Sequence, residues 1–154
     1  MRYLEDIAYL ATIVGALVAI VTLAYAYLTY KKASNIEIVI SQKKELFYAL
    51  TELHNFVVSL KKITDDYVEA RAFEQLLSRC IETQKSITEN EYSAGKARKL
   101  IQKLYQNIGH VNDAWETGKE EEKDMNDVAT NLMSKYFSKE FDETIVKIQK
   151  KLRW

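Results

Sequence analysis

Proline is absent from this chain of 154 residues, although ordinary usage near 5% would supply about eight. Glycine occurs only at Gly15, Gly95, Gly109 and Gly118, against roughly eleven expected. A sandwich or barrel of many short strands needs turn residues that the chain does not have, so an all-α fold is expected. The same scarcity excludes a phosphate cradle, because neither a Gly-x-Gly-x-x-Gly nor a Walker pattern can be assembled from these glycines. A single cysteine, Cys80, excludes an intrachain disulfide and suits a reducing compartment. Beside it stand only His54 and His110, too few for a zinc site of those residue types. No metal or other cofactor is expected. Charge of one sign is also missing, since 22 basic and 22 acidic residues cancel. That excludes whole-molecule attraction to nucleic acid as the main theme and leaves room for a local basic patch.

One long stretch lacks charge altogether. Ile7 to Tyr30 (IAYLATIVGALVAIVTLAYAYLTY) holds no ionisable acid or base of the Asp, Glu, Lys, Arg or His type. As a helix it would extend about 36 Å, enough for a hydrocarbon core near 30 Å. A cleaved signal peptide is the competing reading, but its apolar region would be only about 7–15 residues long. This run is longer and exits into Tyr27, Tyr30, Lys31 and Lys32, an aromatic belt followed by a positive anchor. Arg2 precedes the run, whereas Lys31, Lys32, Lys43 and Lys44 follow it. The positive-inside tendency therefore puts the N-terminus outside and the C-terminal part in the cytoplasm, with the lipid bilayer as a partner.

The run has internal order. Ala8, Thr12, Gly15, Ala19, Thr22 and Ala26 recur in steps of four and three, a 3.5-residue period of small side chains. Leu10, Val14, Leu17, Val21, Tyr25 and Leu28 follow the same period on another face. Small residues let helix backbones approach in lipid, so the stripe suggests self-association, although alanine is common in any membrane helix. One helix cannot enclose a pore, but several copies could, with Thr12 and Thr22 as the only hydroxyls deep in the run. Such a pore would be mostly apolar and could gate by dewetting. No charged side chain is present in the run to serve a proton relay.

Beyond it, residues 35–154 read as a cytoplasmic, antiparallel bundle of four to five helices, with residues 1–34 as the segment carrying the span at about 7–30. Ser34-Asn35-Ile36-Glu37 has the capping-box form of a new helix start. Ile36, Val39, Ile40, Leu46, Phe47, Leu50, Leu53, Val57 and Leu60 form the apolar stripe of a helix reaching about Thr64. A second helix is expected from Asp65 to Ser86, and a third is opened by Thr88-Glu-Asn-Glu91 and stopped at Gly118. Tyr92, Ile101, Leu104, Ile108, Val111 and Trp115 would line the third helix. Glu120 to Asp124 form an acidic loop, and Ser138 caps a last helix bearing Phe141, Ile145, Ile148 and Leu152.

Candidate chemistry is sparse. Cys80 falls on an apolar helix face, which makes a buried structural thiol the stronger reading over a nucleophile. His54 and His110 could each act as a general base or be hydrogen-bonded structural histidines. Asp65-Asp66 reads as a helix start favoured by the dipole. Lys147, Lys150, Lys151 and Arg153 would offset a helix dipole at its C-terminal end. The sharper alternative for them is contact with RNA or anionic lipid headgroups.

A charge-free N-terminal span followed at once by a compact helical bundle of this size resembles the small membrane accessory proteins of type VI-B CRISPR systems. The resemblance covers the whole chain at the level of architecture. It implies a bundle related to the HEPN ribonuclease fold and a pore-forming homo-oligomeric ring in the bacterial inner membrane. A CRISPR effector partner and a role in antiviral defence are implied with it. In that class an arginine, followed about four to six residues later by a histidine, stabilises phosphate charge and handles protons. Arg98 and His110, the nearest such ordered pair here, stand twelve positions apart, roughly 18 Å along one helix. Arg153 would open the motif only in a chain running past Trp154. Absence of the motif leads to the expectation of no enzymatic activity. The expected function is thus a pore that permeabilises or depolarises the inner membrane. The alternatives are a membrane-anchored ribonuclease using His110 or His54, a non-pore anchored scaffold, and a phage lysis protein.

Overall fold

The computed structural model describes residues 2–154. The protein is all-α, with no strand among the described residues. In chain order it has α1 (Arg2–Thr64), α2 (Ala70–Asn90), a 3₁₀ segment (Glu91–Ala97), α3 (Arg98–Glu120), α4 (Met125–Tyr136) and α5 (Lys139–Lys151). The chain divides into two units, one ending at Val39 and the other formed by Ile40–Trp154.

In the first unit every described residue up to Ala33 is exposed, including all of the uncharged run. Ile36 and Val39, expected on a buried stripe, are exposed too. The capping box at Ser34 does not start a helix, because α1 runs through it unbroken. No proline or glycine lies between Gly15 and Thr64, so nothing there interrupts the hydrogen-bond ladder.

The second unit is a bundle of the rest of α1 with α2–α5. Leu46, Leu50, Leu53, Val57 and Leu60 of α1 are buried, a four-three spacing that keeps one face toward the core. Gln149 Nε2 donates to Thr51 Oγ1 at 2.8 Å, Lys61 reaches Asp142, and Phe47 meets Trp154. Residue numbers that rise on α1 and fall on α5 make this pair antiparallel. Helices α2 and α3 are antiparallel by the same logic, with Phe73 against Trp115, Glu74 by Lys119, and Gln84 Nε2 donating to the Tyr105 carbonyl. The core is closed by an aromatic chain in which the Phe73 ring lies 5.0 Å from Trp115 and 6.4 Å from Phe137, which in turn lies 5.0 Å from Phe141. Such tilted and edge-on contacts suit the ring quadrupoles.

Several boundaries differ from expectation for local reasons. Asp65 and Asp66 lie in the turn before α2 rather than starting it, with Asp65 in the left-handed region at φ 40°. Thr88 lies inside α2, which continues to Asn90, and its hydroxyl donates to the Gln84 carbonyl rather than capping a new start. The break comes at Gly95, whose φ of 53° inside the 3₁₀ segment is accessible to glycine at little cost. Tyr92 lies in that 3₁₀ segment and is exposed, while its neighbours Ser93 and Ala94 face the core. Gly118 does not stop α3 either. A Cβ there would meet Val128 Cγ2 at 3.2 Å, so this glycine permits close approach of α3 and α4. α4 is capped by Asp124, whose carboxylate accepts from the Asn126 amide at 3.0 Å. Ser138 does stand at the N-cap of α5, but its side chain makes no capping bond.

Candidate functional site

The first candidate is the small-residue face of α1. At 100° per residue, Ala8, Thr12, Gly15, Ala19, Thr22 and Ala26 fall within an arc of about 80°. Leu10, Val14, Leu17, Val21, Tyr25 and Leu28 fall on the opposite side. All twelve are exposed, and nothing lies within 4 Å of where a Cβ on Gly15 would sit. Tyr27 and Tyr30 are exposed beyond the stripe, as are Lys31 and Lys32. The hydroxyls are not idle. Thr12 Oγ1 donates to the Ala8 carbonyl at 2.9 Å, and Thr22 Oγ1 to the Val18 carbonyl at 2.8 Å. Each thus spends its only donor on its own helix and retains acceptor capacity alone. This bonding makes the face tolerable in hydrocarbon, where an unsatisfied donor costs several kcal/mol, about 4–8 on an alkane scale. α1 is the one helix among the described residues long and apolar enough to cross a membrane.

The second candidate is polar and lies within the bundle. His54 of α1 places Nε2 3.2 Å from Asp142 Oδ1 of α5, and Lys61 Nζ donates to Asp142 Oδ2 at 2.9 Å. All three side chains are roughly a quarter to a third exposed. Asp142 Oδ1 is itself buried and accepts no well-aligned hydrogen bond, so the His54 imidazole is the group nearest to satisfying it. A carboxylate beside a histidine can orient it for proton transfer. Here His54 makes no hydrogen bond to a hydroxyl or thiol among the described residues, and the free thiol Cys80 is buried. The arrangement joins α1 to α5 electrostatically. His54 was legible as a candidate, but its partners were not, because α1–α5 adjacency is a property of topology.

The remaining candidates do not converge. Arg98, at the start of α3, is exposed, with its guanidinium 3.9 Å from Glu91 and 5.4 Å from the Tyr92 ring. His110 is exposed three turns further along the same helix. Arg153 is exposed near Trp154, whose ring packs 5.6 Å from Phe47 and under Lys44 Nζ at 5.5 Å. Among the described residues no group of three or more His, Cys, Asp or Glu side chains is placed to hold a metal.

Cys80 is fully buried, and burial pushes its thiol up to about 12. It should resist iodoacetamide at pH 8 in the folded chain and react within minutes in denaturant, by mass spectrometry of the alkylated protein. The unfolded thiol ionises near 8.5, and the folded one only near 12. Between those values the folded state holds the extra proton, so this group's contribution to stability falls as pH rises.

No family model, no curated protein and no solved structure matches the chain.

Proposed function

We propose that the chain is a non-enzymatic, single-pass membrane protein that self-associates through the small face of α1. The assembled ring permeabilises the inner membrane, with the bundle on the cytoplasmic side. The reading rests on one observation: the uncharged, exposed stretch of α1 gathers Ala8, Thr12, Gly15, Ala19, Thr22 and Ala26 on one face and Leu10, Val14, Leu17, Val21, Tyr25 and Leu28 on the other, with Ala11, Ala16 and Ala24 outside the small face. In lipid, close packing rather than hydrophobic exclusion drives association, so that sorting has a use only if another helix docks on the small face. The antiviral setting and a CRISPR effector partner come from the resemblance in architecture alone. A ribonuclease is disfavoured because Arg98, His110 and His54 lie at separate places and lack shared partners.

A second reading, an anchored scaffold without a pore, has its own support. Thr12 and Thr22 direct their donors to their own backbone, leaving the small face without a free hydroxyl donor to replace an anion's hydration. Native mass spectrometry of the full chain in nanodiscs separates the two. A closed assembly of about six or more copies is expected for a ring. A monomer or dimer would leave no way to surround a channel and would overturn the pore.

A further inference from the structure

Zero net charge conceals a strong separation within the bundle. Antiparallel packing brings residues 40–47, 85–99 and 147–154 to one end: Ser93 bonds Gln42, and Trp154 packs on Phe47. Those segments contain ten Lys or Arg and three Glu. The opposite end gathers residues 61–74 and 116–127, where Glu74 meets Lys119 and the Ala70 amide donates to Asn126. They contain five Lys or Arg and ten Asp or Glu.

We propose that the basic end of the bundle docks on an anionic lipid surface. Lys43, Lys44, Lys150, Lys151 and Arg153 form no ion pair among the described residues. Their charge is therefore available to a partner. Neutralising the α5 dipole does not explain Lys43 and Lys44, which belong to α1. Three exposed aromatic rings, Tyr48, Tyr92 and Trp154, stand among the cations. Rings that are apolar in body and polar at one edge suit the headgroup layer, and clusters of four to eight cations are what anionic leaflets attract.

Single-stranded RNA also takes cations and stacking rings. Chain connectivity favours lipid. Nine residues lie between Tyr30 and Ile40, so a bilayer holding the uncharged run lies within about 36 Å of this unit in any conformation. The inference thus rests on the membrane reading above.

The test uses the full chain in vesicles of phosphatidylcholine, with or without phosphatidylglycerol, carrying brominated acyl chains. Trp115 is buried, and a Trp154→Phe control isolates the Trp154 signal. Quenching of Trp154 should appear with phosphatidylglycerol, be several-fold weaker without it, and fade in 1 M salt, where the screening length is about 3 Å. Each cation removed should weaken docking about fivefold, so Lys150→Gln, Lys151→Gln and Arg153→Gln together should abolish it. Equal quenching in both lipids, or a triple variant that still responds, overturns the proposal. So does single-stranded RNA binding that the triple variant loses while phosphatidylglycerol leaves Trp154 unmoved. Carbonate extraction of the same vesicles tests the membrane reading separately. Release of the chain refutes the span, while the lipid dependence of Trp154 still decides the docking.

Discussion

Replacing Gly15 and Ala19 by leucine should abolish the proposed assembly, leaving monomers, and bring dye leakage from reconstituted vesicles to background. The positions are adjacent on the small face, and space around Gly15 is open, so the helix accommodates leucine without internal strain. Leucine is also a better helix former than glycine and at least as apolar, so membrane insertion is not weakened. What changes is how closely a second backbone can approach. Overfilling a packed contact costs about 1–3 kcal/mol per position, tenfold or more in association for each interface. Leu17→Val, on the opposite face, should leave the oligomer mass unchanged. Leakage that persists in the double variant would remove the small face from any role in the pore. Oligomers that persist while leakage stops would instead make the face a lumen lining.

The largest loss of stability is expected from Phe73→Ala. Phe73 is fully buried and stands between Trp115 and Phe137, so truncation removes the middle of the aromatic chain that links α2, α3 and the end of α4. A core Phe→Ala change costs about 3–5 kcal/mol, a large part of the roughly 5–15 kcal/mol that holds a domain together. Guanidinium unfolding followed by Trp115 fluorescence, in a Trp154→Phe background, reads it directly. The midpoint should fall and the native emission should shift to the red as Trp115 loses its neighbour. Ile63→Ala is the matched control, since Ile63 is 80% exposed and should change stability by no more than about 0.5 kcal/mol. Equal effects from the two substitutions would mean that the aromatic chain is not the core.

Most of the helical architecture could be read from the residues. The apolar stripe of α1 is buried at Leu46, Leu50, Leu53, Val57 and Leu60 but exposed at Ile36 and Val39, whereas Phe141, Ile145, Ile148 and Leu152, on α5 and at its C-cap, are all buried. Helix ends were harder. Ser34 and Thr88 each carry a capping-box pattern, yet both lie inside helices. A capping side chain only stabilises an end that something else creates, and no breaker stands near either. Gly118 misled in the opposite direction, because a glycine that ends a helix and one that lets Val128 approach look alike in sequence. At the candidate sites, the small face of α1 was visible because its period is local. The Asp142 contacts of His54 and Lys61 span more than 80 positions and depend on which helices become neighbours.

The separation of charge along the bundle also bears on how many copies can stand side by side. Copies anchored in one bilayer with a common orientation would present like ends to one another. Basic end would face basic end and acidic end would face acidic end, and any charges brought within the screening length, about 8 Å at physiological ionic strength, would repel. Lateral crowding then raises a mutual repulsion that a lone copy does not feel. Anionic lipid beneath the basic ends, or dissolved counterions, would relieve it, so the proposed ring would depend on surface density and on which lipids are present.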